Sequence, residues 1–207
     1  MVDKVEGLYT HWFLGQLGQN WSDACAENLE RHGYILEVPQ QTDFYAQKVQ
    51  SSENRVFVIV SDAFRYEVAA SLAEDLQREM QCKVTLGSCE GLFPTVTKYG
   101  MAALLPHKKL EIKPRPDGTL AVLADGDPTD AGYRDKLLKK ANPASVALKY
   151  EDILLLKRQE RQALVKGMSI VYIYHDTVDK ASHTSDSAVF SACNEAISQI
   201  KNLARII

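Results

Sequence analysis

The sequence predicts an α/β protein in which helices flank a mostly parallel sheet. Two continuous apolar runs, RVFVIVS at 55–61 and SIVYIY at 169–174, are rich in β-branched residues. Such runs are typical of strands that are buried on both faces. Amphipathic segments at 66–80 and about 185–205 follow the two runs along the chain. This alternation of strands with helices favours the α/β class.

The other elements follow from local signals. Helical spacing with interrupting glycines predicts two helices within 3–30, broken near Gly18 and ended by Gly33. Two alternating runs around Pro-Asp-Gly predict a hairpin over 109–126. We further predict helices at 43–51, 98–105, 129–140 and 151–166, and short strands at 83–87 and 145–148. The resulting organisation is a helical segment over 1–52 and an α/β domain over 53–207, with an insertion at about 107–168.

The composition is that of an ordinary globular protein. The chain has 207 residues, of which 45% are hydrophobic and 25% charged, and its formal net charge is −3. This charge does not favour a protein that grips nucleic acid through a broad basic surface. Four cysteines without C-x-x-C spacing argue against a cysteine zinc site. No apolar run reaches the about 18–20 residues of a membrane span, and the acidic N-terminus is no secretory signal, so we expect a cytoplasmic protein.

Three polar segments are expected at the carboxyl edge of the sheet, where open α/β proteins bind ligands. Asp62 directly follows the first strand, where its carboxylate either binds a metal ion or caps the next helix. Thr95 and Thr97 stand at the start of the 98–105 helix. A hydroxyl there is stabilised by the helix dipole as a nucleophile or phosphate contact, and simple capping is the alternative.

The third segment, HDTVDKASH, follows the second buried strand. Asp179 and His183 stand four residues apart, so that a helical turn or compact loop can direct both at one ion, with zinc and manganese as the suitable metals. His175 and Asp176 lie just before them and are candidates for orienting ligands or phosphate. A polar helix-entry loop with Asp179 as its cap is the alternative.

Together these segments resemble the PglZ family of the BREX phage-defence systems, within the alkaline phosphatase superfamily. The resemblance is carried by VFVIVSDAFRYEVAASL, GLFPTVTKYGMAALLP and YIYHDTVDKASH, in that order. It implies an alkaline-phosphatase-like core and two divalent metal ions, with zinc as the first candidate and manganese as the second. It also implies a phosphate-ester substrate, nucleic acid included, and other BREX proteins as partners.

The resemblance also implies roles for individual residues. Asp62 corresponds to a ligand of the metal that activates the nucleophile, and Thr97 to the nucleophile itself. The P-T-x-T spacing is similar to that of the phosphodiesterase branch, which favours Thr97 over Thr95. Asp179 and His183 correspond to the ligand pair of the other metal. Arg65 either orients a phosphate or forms an ion pair with a helix neighbour.

The chain also departs from the superfamily pattern. It contains no Asp-His dipeptide and no histidine after His183, whereas the superfamily completes its site with such a pair and a later histidine. We therefore expect a fragment whose remaining ligands lie beyond Ile207. Such a fragment would hold metal weakly or not at all, and its incomplete sheet would expose an edge for self-association.

Two classes of function remain open at this point. The first is a metal-dependent phosphatase, phosphodiesterase or nuclease that uses a threonine nucleophile or a metal-activated water. The second is a catalytically inactive scaffolding or binding module of the defence complex. A phosphomutase would use the same residues as the first.

Overall fold

A three-stranded parallel sheet forms the centre of the computed structural model, which describes residues 2–80 and 82–206. Its strands are β1 (Val56–Ser61), β5 (Ser145–Lys149) and β6 (Ile170–His175). β6 lies between the other two and pairs in parallel with both. Because Ser61 is aligned with His175, β1 and β6 end at the same edge of the sheet, as the two apolar runs predict.

The helices lie on both sides of this sheet and around its ends. Their bounds are α1 Val2–Gly7, α2 Gly15–His32, α3 Tyr66–Met80, α4 Thr97–Ala103, α5 Arg134–Ala141, α6 Tyr150–Leu155, α7 Arg158–Val165, α8 Thr177–Ser182 and α9 Asp186–Ile206. Shorter π-helical segments occupy Leu8–Leu14 and Tyr45–Gln50. The α/β class with flanking helices is thereby confirmed.

Alternation along β6 divides the core into two layers. Tyr172 and Ile170 point to one face, where they pack with Leu105 and Leu138 from the segments around α4 and α5. On the opposite face, the aliphatic side chains of β6 pack with α6 and with Leu203 of α9. Burial on both faces is what the near-continuous apolar sequence of β6 requires.

The predicted hairpin is present as β2 (Leu110–Pro114) and β3 (Leu120–Ala124), which pair antiparallel. A short third strand, β4 (Asp127–Pro128), extends it. Asp125 has a left-handed φ of 50° in the turn before β4, and its carboxylate accepts hydrogen bonds from the backbone amides of residues 108 and 109. This small sheet packs against α4, and Ala124 at the end of β3 lines a cavity with Ile170 at the amino end of β6.

The N-terminal prediction was only partly right. The chain is helical without interruption from Val2 to His32, so the predicted break near Gly18 is wrong. A glycine costs only about 1 kcal/mol inside a helix and does not end one by itself. The irregular part is instead the π-helical turn at Leu8–Leu14. Gly33 ends α2 with a left-handed φ of 75°, as predicted.

Two further predictions need correction. Residues 83–87 form no strand, and this segment is exposed. The predicted helix over 151–166 is divided into α6 and α7, because the carboxylate of Glu160 accepts a hydrogen bond from the backbone amide of Lys157 (2.6 Å) and so starts a new helix. The predicted strand at 145–148 is present as β5, which pairs in parallel with β6.

Candidate active site

The three predicted polar segments meet at the carboxyl edge of the sheet. The backbone amide of Asp62 donates a hydrogen bond to the carbonyl of His175 (2.8 Å), which joins the ends of β1 and β6. A groove of about 530 Å³ opens beside this junction. Among the residues that line it are Asp62, Arg65, Thr95, Thr97 and Asp179. The structure therefore brings these five side chains together in one region.

A tight turn carries the chain from Asp62 into α3. Ala63 adopts a left-handed φ of 57°, which costs a residue with a side chain about 1–2 kcal/mol. Its backbone amide donates a hydrogen bond to Oδ1 of Asp62 (3.0 Å). Backbone strain of this kind is concentrated at functional positions because the surrounding structure must maintain it. Here the hydrogen bond from the Ala63 amide holds the Asp62 carboxylate at the end of β1.

Thr97 is the first residue of α4, and its side chain is exposed. Its hydroxyl lies close enough to Asp62 for hydrogen bonding to lower the pKa of that carboxyl. Thr95 is also exposed and lies in the loop that precedes α4. Of the two threonines, Thr97 is therefore the one close enough to Asp62 to influence its pKa.

Burial is the largest influence on the pKa of Asp62 and raises it, and the negative charge of Asp179 raises this pKa further. The Ala63 amide, the Thr97 hydroxyl and the positive charge of Arg134 oppose these effects, but the net shift is upward. Two carboxylates that repel each other in a groove form an environment that a divalent cation would stabilise.

The Asp179 and His183 pair lies on α8 and its end. Oδ2 of Asp179 is 3.7 Å from Nε2 of His183, and the imidazole is 76% exposed. The predicted spacing thus brings both groups together on one helical turn. Asp179 faces the groove, whereas His183 is mostly in solvent.

His175 lies beneath the groove, 1% exposed. Its Nε2 is 2.6 Å from Oε1 of Gln199 on α9, and the amide nitrogen of Gln199 donates to Glu195. Since Gln199 therefore presents its oxygen, Nε2 of His175 carries the proton and Nδ1 accepts a hydrogen bond from the hydroxyl of Ser61 (2.8 Å). His175 links β6, α9 and the residue before Asp62.

The two remaining predicted residues differ in their surroundings. The carboxylate of Asp176 forms an ion pair with Lys180 (2.8 Å), which also binds Glu151. Asp176 is thus held by a lysine on the surface of α8. Arg65 is exposed at the groove and forms no ion pair within 2–80 and 82–206, which disfavours the ion-pair alternative for this residue.

Two contributors were missed by the sequence reasoning. Gln41 accepts a hydrogen bond from the amide of Leu92 (3.0 Å) and donates one to the carbonyl of Gly100 (3.4 Å), so it holds the loop before α4. Arg134 lies over the ring of Tyr174 and contributes positive charge near Asp62. Neither side chain belongs to a local motif, so no sequence signal indicated them.

The donor set suits a divalent cation in part. Carboxylates from Asp62 and Asp179, the Thr97 hydroxyl and the His183 imidazole are oxygen and nitrogen ligands of the kind that zinc and manganese accept. However, the described residues contain no group of three or more histidine, cysteine or acidic side chains that could hold one ion. These residues therefore supply an incomplete ligand set.

The fold and this groove define an alkaline-phosphatase-like domain. The family model described as the BREX system PglZ alkaline phosphatase-like domain matches residues 44–207, and the chain belongs to this family. The matched region begins ahead of the predicted domain boundary at residue 53.

Two curated relatives extend the match. The chain is 39% identical over 210 residues to the alkaline phosphatase-like protein BrxZ of Escherichia coli O9:H4 (strain HS). It is 32% identical over 206 residues to the alkaline phosphatase-like protein PglZ of Bacillus cereus (strain H3081.97). Each match covers 97% of this chain and 24% of the relative, so the chain spans about a quarter of their length. No solved structure gives a significant match.

Within the described residues, no helix has the length and apolarity needed to cross a membrane.

Proposed function

We propose that the groove beside Asp62 is part of a metal-dependent phosphohydrolase site that serves phage defence. The reaction is hydrolysis of a phosphate ester, as a phosphatase, phosphodiesterase or nuclease. Membership of the BREX PglZ family supports the setting and the superfamily. Other BREX proteins are the proposed partners, the cytoplasm is the proposed location, and the exposed edge of β1 is a proposed surface for self-association.

The observation that carries this proposal is the approach of Asp179 to Asp62 at the side of Thr97. The two carboxylates come from segments more than one hundred residues apart and both face the groove. Their mutual repulsion raises the pKa of Asp62, so the pair is unfavourable unless a positive group lies between or beside them. Two such carboxylates beside a nucleophilic hydroxyl are the arrangement expected of a metallohydrolase.

The residues have distinct roles in this proposal. Thr97 supplies the hydroxyl oxygen that attacks phosphorus, with an activated water as the alternative nucleophile. Asp62 and Thr97 would be ligands of one ion, and Asp179 and His183 of the other. A bound divalent ion supplies a lowered hydroxyl pKa and offsets charge on the phosphate. Arg65 and Thr95 stand at the wall of the groove.

The test is hydrolysis of bis(p-nitrophenyl) phosphate with zinc or manganese added. It should be measured on this chain and on an extended protein of the full length of the matched relatives, of which this chain spans about a quarter. We expect activity in the extended protein, a loss of at least about a hundredfold in Thr97→Ala and Asp179→Ala, and little change in Ser198→Ala. An inactive extended protein, or full activity in both site variants, would contradict the proposal.

An inactive scaffolding module is the second candidate. It is favoured by one specific observation: no three-ligand group occurs among the described residues. Titration with manganese separates the candidates. The hydrolase proposal expects binding by the extended protein that Asp62→Asn and Asp179→Asn both weaken, whereas a scaffold that has lost its chemistry would bind no ion at these residues.

A further inference from the structure

The N-terminal helix carries a row of exposed apolar side chains spaced four residues apart. This apolar row consists of Val5, Tyr9, Phe13, Leu17 and Trp21, each between 48% and 61% exposed. Single exposed apolar residues are common on soluble proteins, but a contiguous row of this length marks an interaction surface. The family model begins at residue 44, so the row lies ahead of the alkaline-phosphatase-like domain, and none of its residues lines the groove.

The π-helical segment Leu8–Leu14 keeps the apolar row on one face of the helix. Four residues exceed one turn of an α-helix by about 40°, so side chains at this spacing drift around an α-helix in one direction. A π-helix is wound more loosely through its i→i+5 bonds, and the same spacing drifts in the other direction. Because the row crosses both kinds of helix, the two drifts offset each other. The rings of Tyr9 and Phe13 accordingly stack, with 5.7 Å between their centroids.

The surroundings of the apolar row are uncharged. Between Glu6 and Asp23 the sequence contains no aspartate, glutamate, lysine or arginine. The next position of the row, Cys25, is only 4% exposed, so this face of the helix is covered at one end and open over the turns before it. An uncharged apolar face calls for an occupant of the same character, since charged side chains are depleted from the core of protein interfaces.

A second copy of the row has that character and a matching shape. In an antiparallel pair of helices centred on Phe13, Val5 of one copy faces Trp21 of the other. Tyr9 likewise faces Leu17. A smaller side chain thus meets a larger one at each level, which is the arrangement that lets two faces interdigitate. Two-fold symmetry repeats each contact in the other half of the pair.

The exposed area is sufficient for such a pair. The five side chains expose roughly 500–600 Å² in each copy, so two copies together reach the about 1,000 Å² that a specific interface needs. We propose that two copies of this chain associate through the apolar row as an antiparallel helix pair. This surface is separate from the edge of β1, and the proposal does not depend on the hydrolysis proposed above.

Sedimentation velocity of this chain over a range of concentrations tests the proposal. We expect a monomer–dimer equilibrium with a Kd in the micromolar range. Phe13→Lys places a charge at the centre of the interface and should weaken dimerisation at least about a hundredfold, because the symmetric dimer loses the aromatic contact twice. The matched control is Gln19→Lys, which adds the same charge on the opposite side of the helix, where Asp23 can pair with it. This control should change the Kd less than about threefold, and circular dichroism verifies that both variants keep their helix content.

The antiparallel register is tested by exchanging a large side chain with a small one. Val5→Trp should crowd the interface and Trp21→Val should leave a gap, so each should weaken dimerisation about tenfold. The double variant restores one large and one small side chain at this level and should return to within about threefold of the wild type. Additive losses in the double variant would overturn the antiparallel pairing.

Three results would overturn the proposed interface itself. The first is a chain that remains monomeric at about 100 μM. The second is a dimer that Phe13→Lys leaves intact, which would place association on another surface such as the edge of β1. The third is an extended protein that is monomeric while its tryptophans are shielded from acrylamide, because another part of that protein would then cover the row. Association that depends on Phe13 in a protein without hydrolytic activity supports this interface and contradicts the hydrolase alone.

Discussion

His175→Ala removes the side chain that joins the end of β1 to α9. The substitution deletes hydrogen bonds to Ser61 (2.8 Å) and Gln199 (2.6 Å) and the edge contact of the imidazole with the ring of Tyr150 (4.8 Å between centroids). Two hydrogen bonds at about 1 kcal/mol each and a cavity term of about 1–2 kcal/mol at a fully buried position give a destabilisation of about 3–4 kcal/mol. The aromatic contact adds at most about 1 kcal/mol.

Urea denaturation followed by far-UV circular dichroism measures this loss directly. Ser198→Ala is the matched control. It removes a hydrogen bond on the exposed side of α9, the helix that His175 contacts, and should cost less than about 0.5 kcal/mol. In a double-mutant cycle, His175→Ala and Ser61→Ala should couple by about 1 kcal/mol. A loss below about 1 kcal/mol for His175→Ala, or no coupling to Ser61, would refute the proposed network.

Three further outcomes are expected. Asp62→Asn should raise the melting temperature at neutral pH and have no effect below about pH 3. The pKa of Asp62 is higher in the folded protein than in the unfolded chain, so the wild type loses stability as the pH rises through the folded pKa and the carboxyl ionises. The neutral asparagine avoids this loss. Gln41→Leu should speed hydrogen exchange in the 91–96 loop and cost about 1–2 kcal/mol, and a loop with unchanged protection would contradict the clamp. Lys201→Met should destabilise the protein at neutral pH only. Lys201 lowers the pKa of two α3 carboxylates, so its contribution disappears as the pH falls through those values, and a loss that persists in acid would contradict this account.

The sheet and the edge where ligands gather were predictable because their signals are local. An apolar β-branched run followed by Asp62 identifies a buried strand and its polar end without knowledge of other segments. The start of α4 at Thr97 and the shared turn of Asp179 and His183 depend likewise on neighbouring residues. Each of these features is confirmed as a position in the fold, whereas the chemical roles of the residues stay predictions.

The features that were missed depend on distant parts of the chain. KVTLG at 83–87 has the composition of a strand, but a strand forms only where a neighbouring strand accepts and donates its backbone hydrogen bonds. The pairing described next to this segment is an isolated bridge between Gln40 and Glu90. His175 was predicted as a polar helper of the site, while its partner Gln199 comes 24 positions later on a helix whose packing direction no local pattern specifies. Arg134 meets Tyr174 only through the docking of α5.

The parallel pairing of β1 with β6 has a consequence for how the protein folds. Ser61 and His175 are 114 positions apart, whereas the paired residues Ser145 and Ile170 of β5 and β6 are close in sequence. Because loop closure is more costly over long separations, β5 and β6 should pair first and β1 should join later. In a partly folded chain, Asp179 would then already lie at the end of β6 while Asp62 had not yet been brought beside it. The groove would assemble only in that late step, and a ligand that bridges both carboxylates would favour its completion by mass action.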